Sequence, residues 1–229
     1  MEGQTLANKS SIDRSKTDFY PTPKEVTAAL LKYLNIPQGS TIWEPACGEG
    51  HMAEVMQEMG YKVVASDWYD HGYGRTDINF IGSDLRQCDW IITNPPFKSS
   101  VEFIDQCIKH GKPFALLLKS QYWHSKSRSE TFSRFKPKAV LPLTWRPDFL
   151  FGAKGGAPTM ECIWTVWGAE PAKYTEYQIL EKPDLKDFMA LDNKELQIRQ
   201  SIQEADKKER QQIIDLWEEA INDYCGETP

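Results

Sequence analysis

The sequence predicts an α/β fold in which helices cover both faces of a mostly parallel sheet. Three observations support this. Residues 41–59 read as a strand, a glycine loop and a helix, residues 61–66 read as a second apolar strand that ends in Asp67, and the apolar run 89–93 leads into Asn94-Pro95-Pro96-Phe97. A strand, a glycine turn and a helix form the opening unit of nucleotide-type α/β sites. The three strand ends therefore predict a ligand site of that type.

The first element joins a strand to a helix through glycines. Thr41–Glu44 is followed by Pro-Ala-Cys-Gly-Glu-Gly, and residues 51–59 place Met52, Val55, Met56 and Met59 at helical spacing. Glycine lets the backbone approach a ligand closely, and the first-turn amides of the helix face that ligand. Cys47 within this loop is interpreted as a small packed residue, because no partners at metal-ligand spacing accompany it.

The strand 61–66 ends in Asp67, about twenty residues after the glycines. At this position a carboxylate can accept hydrogen bonds from both ribose hydroxyls of a nucleotide-like ligand. The order of glycine loop and acid thus favours a nucleoside-containing ligand.

The stretch Asn94-Pro95-Pro96-Phe97 carries the groups needed to bind a planar amine. Two prolines fix φ and remove two backbone donors, so that the chain cannot continue as a central strand. The Asn94 side-chain oxygen and the Pro95 carbonyl can both accept from one NH2 group, while Phe97 stacks on the ring that carries it. The alternative is a β-turn that leaves a buried strand.

Together these motifs resemble the S-adenosylmethionine-dependent amino-methyltransferases, particularly the DNA adenine-N6 methyltransferases of the compact phage or prophage type. The similarity covers roughly residues 18–167. Asp18-Phe-Tyr-Pro-Thr-Pro23 resembles the family's N-terminal cofactor motif, in which Thr22 would cap the helix from Pro23 and contact the methionine carboxylate. Asp77-Ile78 resembles the pair that holds the cofactor adenine, with Asp84 or Asp89 as alternatives. The resemblance implies S-adenosylmethionine contacts at Tyr20, Thr22, Pro23, Glu44, Pro45, Ala46, Cys47, Gly48, Gly50, Asp67, Asp77, Ile78 and Asn94.

The resemblance also implies a Rossmann-like class I methyltransferase fold. Its open sheet would have seven strands, which are mostly parallel, and one of the seven, near the edge, would be antiparallel. The expected strands lie near 40–44, 62–66, 78–81, 89–93, 113–119, 138–143 and 160–167, and the expected helices near 23–34, 49–59, 99–110 and 125–135. The predicted organisation is a flexible segment 1–17, a catalytic domain 18–168 and a helical C-terminal extension 169–229.

Composition and charge narrow the class of protein further. With 229 residues and 40% hydrophobic content the chain can bury one large core. No stretch is long and apolar enough to span a membrane, and the N-terminus lacks a secretion signal, so we expect a cytoplasmic protein of a bacterium or a phage-infected host. The five cysteines form no CxxC pair and are expected to be reduced, and no metal site is predicted.

A net charge of −6 hides a basic segment. Residues 119–146 contain seven Lys or Arg residues against Glu130 alone, whereas residues 170–229 contain fifteen acidic and eight basic residues. Phosphate binding needs such a segment, and the glycine- and aromatic-rich stretch 144–159 is the candidate DNA-facing loop, with an ordinary hairpin connection as the alternative. The nucleic-acid-binding candidates are Lys98, Lys119, Trp123, Lys126, Arg128, Trp145, Arg146 and Lys154.

The expected reaction is direct methyl transfer to the N6 amine of an adenine flipped out of DNA, with Asn94, Pro95, Pro96 and Phe97 as catalytic residues. Methylation of protein glutamine, of RNA base amines or of cytosine N4 is the enzymatic alternative, because each substrate presents a planar NH2. A binding module that keeps the cofactor pocket without turnover is the non-enzymatic one. Residues 192–223 are helix-forming, and these helices either fold back on the domain or form a homodimer or partner contact.

Overall fold

The computed structural model describes residues 20–124, 126–149, 158 and 160–184. Four helices lie in these ranges: α1 (Lys24–Leu34), α2 (His51–Glu58), α3 (Ser100–His110) and α4 (Lys126–Arg134). The strands are β1 (Thr41–Glu44), β2 (Lys62–Ala65), β3 (Trp90–Thr93), β4 (Phe114–Lys119), β5 (Ala139–Pro142), β6 (Cys162–Trp167) and β7 (Glu176–Tyr177). Two 3-10 turns, Phe97–Ser99 and Ser120–His124, follow β3 and β4.

The strands form one sheet in the order β2-β1-β3-β4-β6-β5-β7. β6 runs antiparallel to β4 and β5, and the other neighbouring strands are parallel. After β1 the chain builds β2 on one side and β3 on the other, so the carboxyl ends of β1 and β3 diverge at a topological switch point, where α/β folds bind ligands. The expected seven-stranded, mostly parallel sheet is confirmed.

One expected strand, at residues 78–81, was wrong. The chain after β2 makes only an isolated bridge between Ser66 and Arg75. Asp77 then adopts a left-handed conformation with φ of 58°, which a paired strand cannot accommodate. Phe80 instead buries its ring against Trp43 at 5.1 Å between ring centroids, so this residue anchors the loop.

The seventh strand comes from a part of the chain that was expected to be helical. β7 pairs with β5 beyond the expected domain end at residue 168, and Leu180 forms a further bridge with Leu143. The expected helices within 192–223 lie outside the described residues. The sheet thus extends into the C-terminal segment, at least as far as residue 180.

Helices cover both faces of the sheet because each has one apolar side. Val26 and Leu30 of α1 pack with Met52 and Met56 of α2 on one face, whereas Phe103 and Ile104 of α3 pack on the other. The indole nitrogen of Trp164 in β6 donates to the Val26 carbonyl at 3.0 Å, which joins α1 to the sheet. The four expected helices are thereby confirmed within one or two residues at each end.

The cap predicted for α1 was wrong. The N-cap residue is Pro23, and no side chain makes a capping hydrogen bond there. The Thr22 hydroxyl contacts another residue, as described below.

The described part of the structure contains no helix long and apolar enough to cross a bilayer. The four cysteines within that part are free and buried.

Candidate active site

A pocket lies at the carboxyl ends of β1, β2 and β3, at the switch point of the sheet. About 840 Å³ of space free of protein atoms lies within it, and this includes open solvent at its mouth. Eight of the predicted cofactor residues line it besides Asn94: Tyr20, Thr22, Glu44, Pro45, Ala46, Cys47, Asp67 and Ile78. The four sequence motifs therefore meet in one cavity.

The glycine loop turns sharply between β1 and α2. Gly50 has φ of 89° and serves as the N-cap of α2. A Cβ atom on Gly50 would lie 2.5 Å from the ring of Tyr73, which covers the loop from the segment after β2. Neither the backbone conformation nor the space above it admits a side chain, and this explains the glycine.

The acid after β2 organises the loop. One oxygen of Asp67 accepts from the Gly48 amide at 2.9 Å, and the other accepts from the Tyr69 amide at 2.9 Å. A carboxylate offers about four acceptor positions, so both oxygens retain capacity toward the pocket. Gly48 thus contributes by holding the acid, although it is not itself a lining residue.

Glu44, at the end of β1, brings a second carboxylate to the same cavity. Its side chain is 1% exposed, and its Oε2 atom has no hydrogen-bond partner in the described structure. Burial, reinforced by the charge of Asp67, raises the pKa of Glu44 well above its usual range, against a smaller lowering effect of the Ala53 backbone. An unpartnered buried carboxylate oxygen is costly, and a cationic ligand would satisfy it.

Cys47 is suited to packing and not to nucleophilic attack. Burial and the charges of Glu44 and Asp67 raise the pKa of its thiol to about 12. The thiol donates to the backbone carbonyls of Gly48 and Tyr73, at 3.7 and 3.6 Å. The protonated state makes the thiol a weak nucleophile.

The carboxamide of Asn94 is held from one side only. Its Nδ2 atom donates to the Tyr20 carbonyl at 3.4 Å and to the Thr22 hydroxyl oxygen at 3.1 Å. Its Oδ1 atom is buried and has no hydrogen-bond partner among the described residues. The nearby Pro96 carbonyl already accepts from the Ser99 amide and the Ser100 hydroxyl. The carboxamide oxygen of this pocket-lining residue therefore has no hydrogen-bond donor within the described residues.

Phe97 lies beside the pocket and not in its wall. The Lys119 ammonium sits 4.0 Å from the centroid of its ring. Tyr20 tilts against it at 5.4 Å and in turn meets Phe149 edge-on at 6.2 Å. These aromatic rings and one cation lie on the outer side of the pocket, next to the Asn94 motif.

Three of the predicted cofactor residues besides Gly48 do not line the pocket. Pro23 is buried as the N-cap residue of α1, Gly50 is covered by Tyr73, and Asp77 is exposed in its left-handed turn. The alternative Asp89 is bound to the start of β1, where its Oδ2 accepts from the Thr41 amide at 2.8 Å. That is the amino edge of the sheet, opposite the pocket. Asp84 also lies outside the lining.

Several lining residues escaped the sequence analysis. Trp68 and Tyr69 stand at the rim with rings stacked at 5.5 Å, 55% and 43% exposed. A large aromatic residue directly after the strand-end acid was the available signal. The others are Pro21, His51, Met52, His71, Asn79, Phe80, Ile81, Ser99 and Phe103. Most of these reach the pocket through loop geometry, which the motifs do not encode.

Some of the nucleic-acid-binding candidates lie at the edge of the sheet that carries the pocket. Lys119 ends β4, and the segment from 144 leaves β5 at the same edge, because β5 runs parallel to β4. Lys98 and Lys126 are exposed. Lys154 lies outside the described residues.

Four of these candidates already contact the protein itself. Arg128 donates to the Tyr122 carbonyl at 2.9 Å, and Arg146 pairs with Glu161 at 2.8 Å. Trp123 stacks on Phe132 at 4.1 Å, and Trp145 packs against the core. A nucleic-acid role for them stays a prediction.

The same architecture occurs in solved methyltransferase structures. A type I restriction-modification methyltransferase subunit from Streptococcus thermophilus has a TM-score of 0.55 and 11% identity, over 82% of this chain and 54% of that chain. A proposed RNA methyltransferase from Pyrococcus horikoshii has a TM-score of 0.55 and 15% identity, over 68% of this chain and 88% of that one. A proposed class I S-adenosylmethionine-dependent methyltransferase from Listeria monocytogenes has a TM-score of 0.50 and 14% identity, over 72% and 67%.

These similarities define the fold as that of the class I methyltransferases. The sequence matches no protein-family model and no curated protein significantly. The chain spans 54% of the Streptococcus protein, so that protein's activity bears only on the proposal below.

Proposed function

We propose that the protein is an S-adenosylmethionine-dependent methyltransferase that acts on the exocyclic N6 amine of adenine in DNA. One observation carries the proposal: the Asn94 carboxamide is tied down through its nitrogen, with its buried oxygen unpartnered, in a pocket that also contains an unpartnered carboxylate oxygen of Glu44. The first group suits a neutral NH2 donor, and the second suits a cation.

The pocket fits S-adenosylmethionine by the chemistry of its donors and acceptors. Glu44 would accept from the ammonium of the methionine part, because its buried Oε2 has no other partner. Asp67 would accept from the ribose hydroxyls with the capacity that its two amide contacts leave. Trp68 and Ile78, which also line the cavity, offer apolar surface for a purine. When bound, this cofactor supplies an electrophilic methyl group on a sulfonium sulfur.

The residues at the end of β3 would activate the amine by accepting hydrogen bonds from its two N–H groups. Asn94 Oδ1 accepts one N–H, and the Pro95 carbonyl, which accepts no backbone hydrogen bond from the described residues, accepts the other. Two acceptors favour a more pyramidal nitrogen whose lone pair is no longer delocalised into the ring. S-adenosylmethionine would supply the methyl group, the amine nitrogen would gain a bond to it in place of one N–H bond, and the proton lost from nitrogen would pass to solvent.

Positioning supplies the rest of the catalysis. The bound cofactor would bring its own leaving group, and the amine nitrogen would lose its proton to solvent after gaining the methyl group, so positioning without a strong general base is sufficient. Phe97 and Tyr20 would hold the faces of the base. Because the Lys119 ammonium now covers the Phe97 ring, the base would take over that ring as the ammonium turns toward a phosphate.

DNA is favoured by the combined motifs and by the position of the basic segment. Lys119 and the start of the 144–159 segment lie at the same sheet edge as Asn94, where cations can hold a phosphate backbone beside a flipped base. The Streptococcus neighbour's description as a restriction-modification subunit agrees with this substrate. The Pyrococcus neighbour, described as an RNA methyltransferase, favours RNA as the second candidate.

A labelling experiment tests the proposal. The purified protein is incubated with tritiated cofactor and, separately, with double-stranded DNA, single-stranded DNA, RNA or ribosomal protein, and the labelled product is identified by mass spectrometry. We expect N6-methyladenine in DNA. Label confined to RNA would support the second candidate, label on protein glutamine would reject nucleic acid, and cofactor binding without any transfer would leave a binding module.

A further inference from the structure

The carboxamide of Asn94 could point either of its ends into the amine site. Only one orientation serves methyl transfer, because the amine must meet an acceptor. If the Asn94 NH2 group faced the substrate, its N–H bonds would point at the N–H bonds of the substrate amine, and no hydrogen bond would form. The groups that fix the orientation of the Asn94 carboxamide therefore contribute to methyl transfer.

One atom at the start of the described chain makes that selection, and a second holds the selected orientation, because a hydroxyl can either donate or accept. The Tyr20 carbonyl can only accept, so the amide nitrogen must face it, but this contact is long at 3.4 Å. The Thr22 hydroxyl oxygen lies closer to the same nitrogen, at 3.1 Å. Thr22 thus makes the shorter of the two hydrogen bonds that hold the carboxamide.

The surroundings of Thr22 give this contact weight. Its side chain is 3% exposed, so water does not readily replace the lost partner. Its hydroxyl is not engaged in capping α1, since no side chain caps that helix. A threonine before a helix with no capping bond implies another use for the oxygen, and Asn94 provides it across 72 residues of sequence.

We propose that Thr22 is a positioning residue for the methyl-transfer reaction: its hydroxyl holds the Asn94 carboxamide in the orientation that the Tyr20 carbonyl selects, with Oδ1 toward the substrate amine. This inference rests on the proposed function. It assigns Thr22 a task separate from any contact with the cofactor: the hydroxyl acts through Asn94. The expected signature is a loss in kcat, because Oδ1 acts on the reacting nitrogen.

The test compares Thr22→Val, which keeps the shape and removes the hydroxyl, with Thr22→Ser, which keeps the hydroxyl. Thr27→Val is the matched control, since Thr27 is a fully buried threonine of α1 whose hydroxyl has no partner in the described structure. Three quantities are measured: single-turnover methyl transfer, cofactor Kd by calorimetry, and the NMR signals of the Asn94 side-chain NH2. These signals are identified by their disappearance in Asn94→Ala.

We expect Thr22→Val to lower kcat by about tenfold, the equivalent of one net hydrogen bond, with the cofactor Kd changed by less than about twofold. Thr22→Ser should recover most of the rate, and Thr27→Val should match the wild type. The Asn94 NH2 signals should shift and broaden in Thr22→Val and return near their original positions in Thr22→Ser.

Two results would overturn the inference while the proposed function stands. One is an unchanged kcat in Thr22→Val, and the other is a loss that the cofactor Kd accounts for in full. If the wild type transfers no methyl group to any substrate, the proposed function fails instead. The NMR comparison then still decides the contact: identical Asn94 NH2 signals in Thr22→Val and the wild type would refute it.

Discussion

The two halves of the pocket differ in charge and in how they are built. The half at β1 and β2 contains the carboxylates of Glu44 and Asp67 inside a glycine loop. The half at β3 contains a neutral carboxamide, Asn94, with aromatic rings and the Lys119 ammonium outside it. Under the proposed function, the first half would hold the cationic, hydroxyl-bearing cofactor, and the second would hold an uncharged amine on a base beside a phosphate backbone. The difference teaches that one cavity presents two unlike sets of polar groups.

The largest expected effect concerns the acceptor of the amine half. Asn94→Ala should lower the rate of methyl transfer by roughly 100- to 1,000-fold, as does removal of one preorganised polar group from other active sites. The cofactor Kd should change little, because the acidic half is intact. Single-turnover kinetics and calorimetry check both. Normal transfer by this variant would remove Asn94 from the mechanism.

A second variant tests the close packing of the acidic half. Gly50→Ala places a methyl group 2.5 Å from the Tyr73 ring at a φ of 89°, so we expect the cofactor Kd to rise by about tenfold or more and the free energy of unfolding to fall by about 2 kcal/mol. Calorimetry and urea denaturation measure these.

Gly39→Ala is the matched control for this variant. Gly39 has a similar φ of 79°, and a Cβ atom there meets nothing within 4 Å. It should therefore lose only about 1 kcal/mol of stability and keep its cofactor affinity. Equal losses in the two variants would mean that the packing of Tyr73 on the loop is unimportant.

The buried carboxylate of Glu44 should make stability depend on pH. Its pKa is raised in the folded state by burial and by Asp67, so between the unfolded and the folded pKa the native state binds more protons. Stability then falls as the pH rises through that interval. Glu44→Gln cannot lose a proton, and we expect a flatter dependence of Tm on pH, by a few degrees, since about 1 kcal/mol shifts Tm by roughly 2–4 °C.

The control for this prediction is Glu58→Gln. Glu58 ends α2 on the exposed surface, and its replacement should leave the pH profile unchanged. If Glu44→Gln also followed the wild-type curve, the carboxylate would not carry the expected proton. Thermal unfolding without cofactor, from pH 5 to pH 8, gives the comparison.

The smallest effect is expected at the cation of the amine half. Lys119→Met should weaken DNA binding by less than about tenfold and reduce the slope of log K against log salt by about 0.9, the contribution of one phosphate contact. Binding titrations at several salt concentrations measure this slope. Lys62→Met, at the amino edge of β2, should not alter it. An unchanged slope in Lys119→Met would mean that Lys119 contacts Phe97 but no DNA phosphate.

The strand ends and the loop after β2 differ in how well the sequence predicted them. Residues of the glycine loop, Asp67 and Asn94 meet in one pocket, because each follows a strand at a sharply defined turn. The strand predicted at 78–81, in contrast, does not form. Its apolar residues Ile78 and Phe80 have the pattern of a strand, but Asp77 is left-handed and Phe80 turns into the core. A local pattern cannot show whether a segment pairs or only anchors a loop.

The sequence by itself determined the α/β class, six of the seven strands, the four described helices and the order of the motifs, since periodicity and turn residues act locally. Only the tertiary structure decided that β7 is the outermost strand of the sheet and that Trp68 and Tyr69 form the rim of the pocket. It also decided that Thr22 contacts Asn94 instead of capping α1. The first and the last of these are contacts between residues far apart in the chain. Their partners are chosen by packing and by unsatisfied hydrogen-bonding groups, which a linear pattern does not specify.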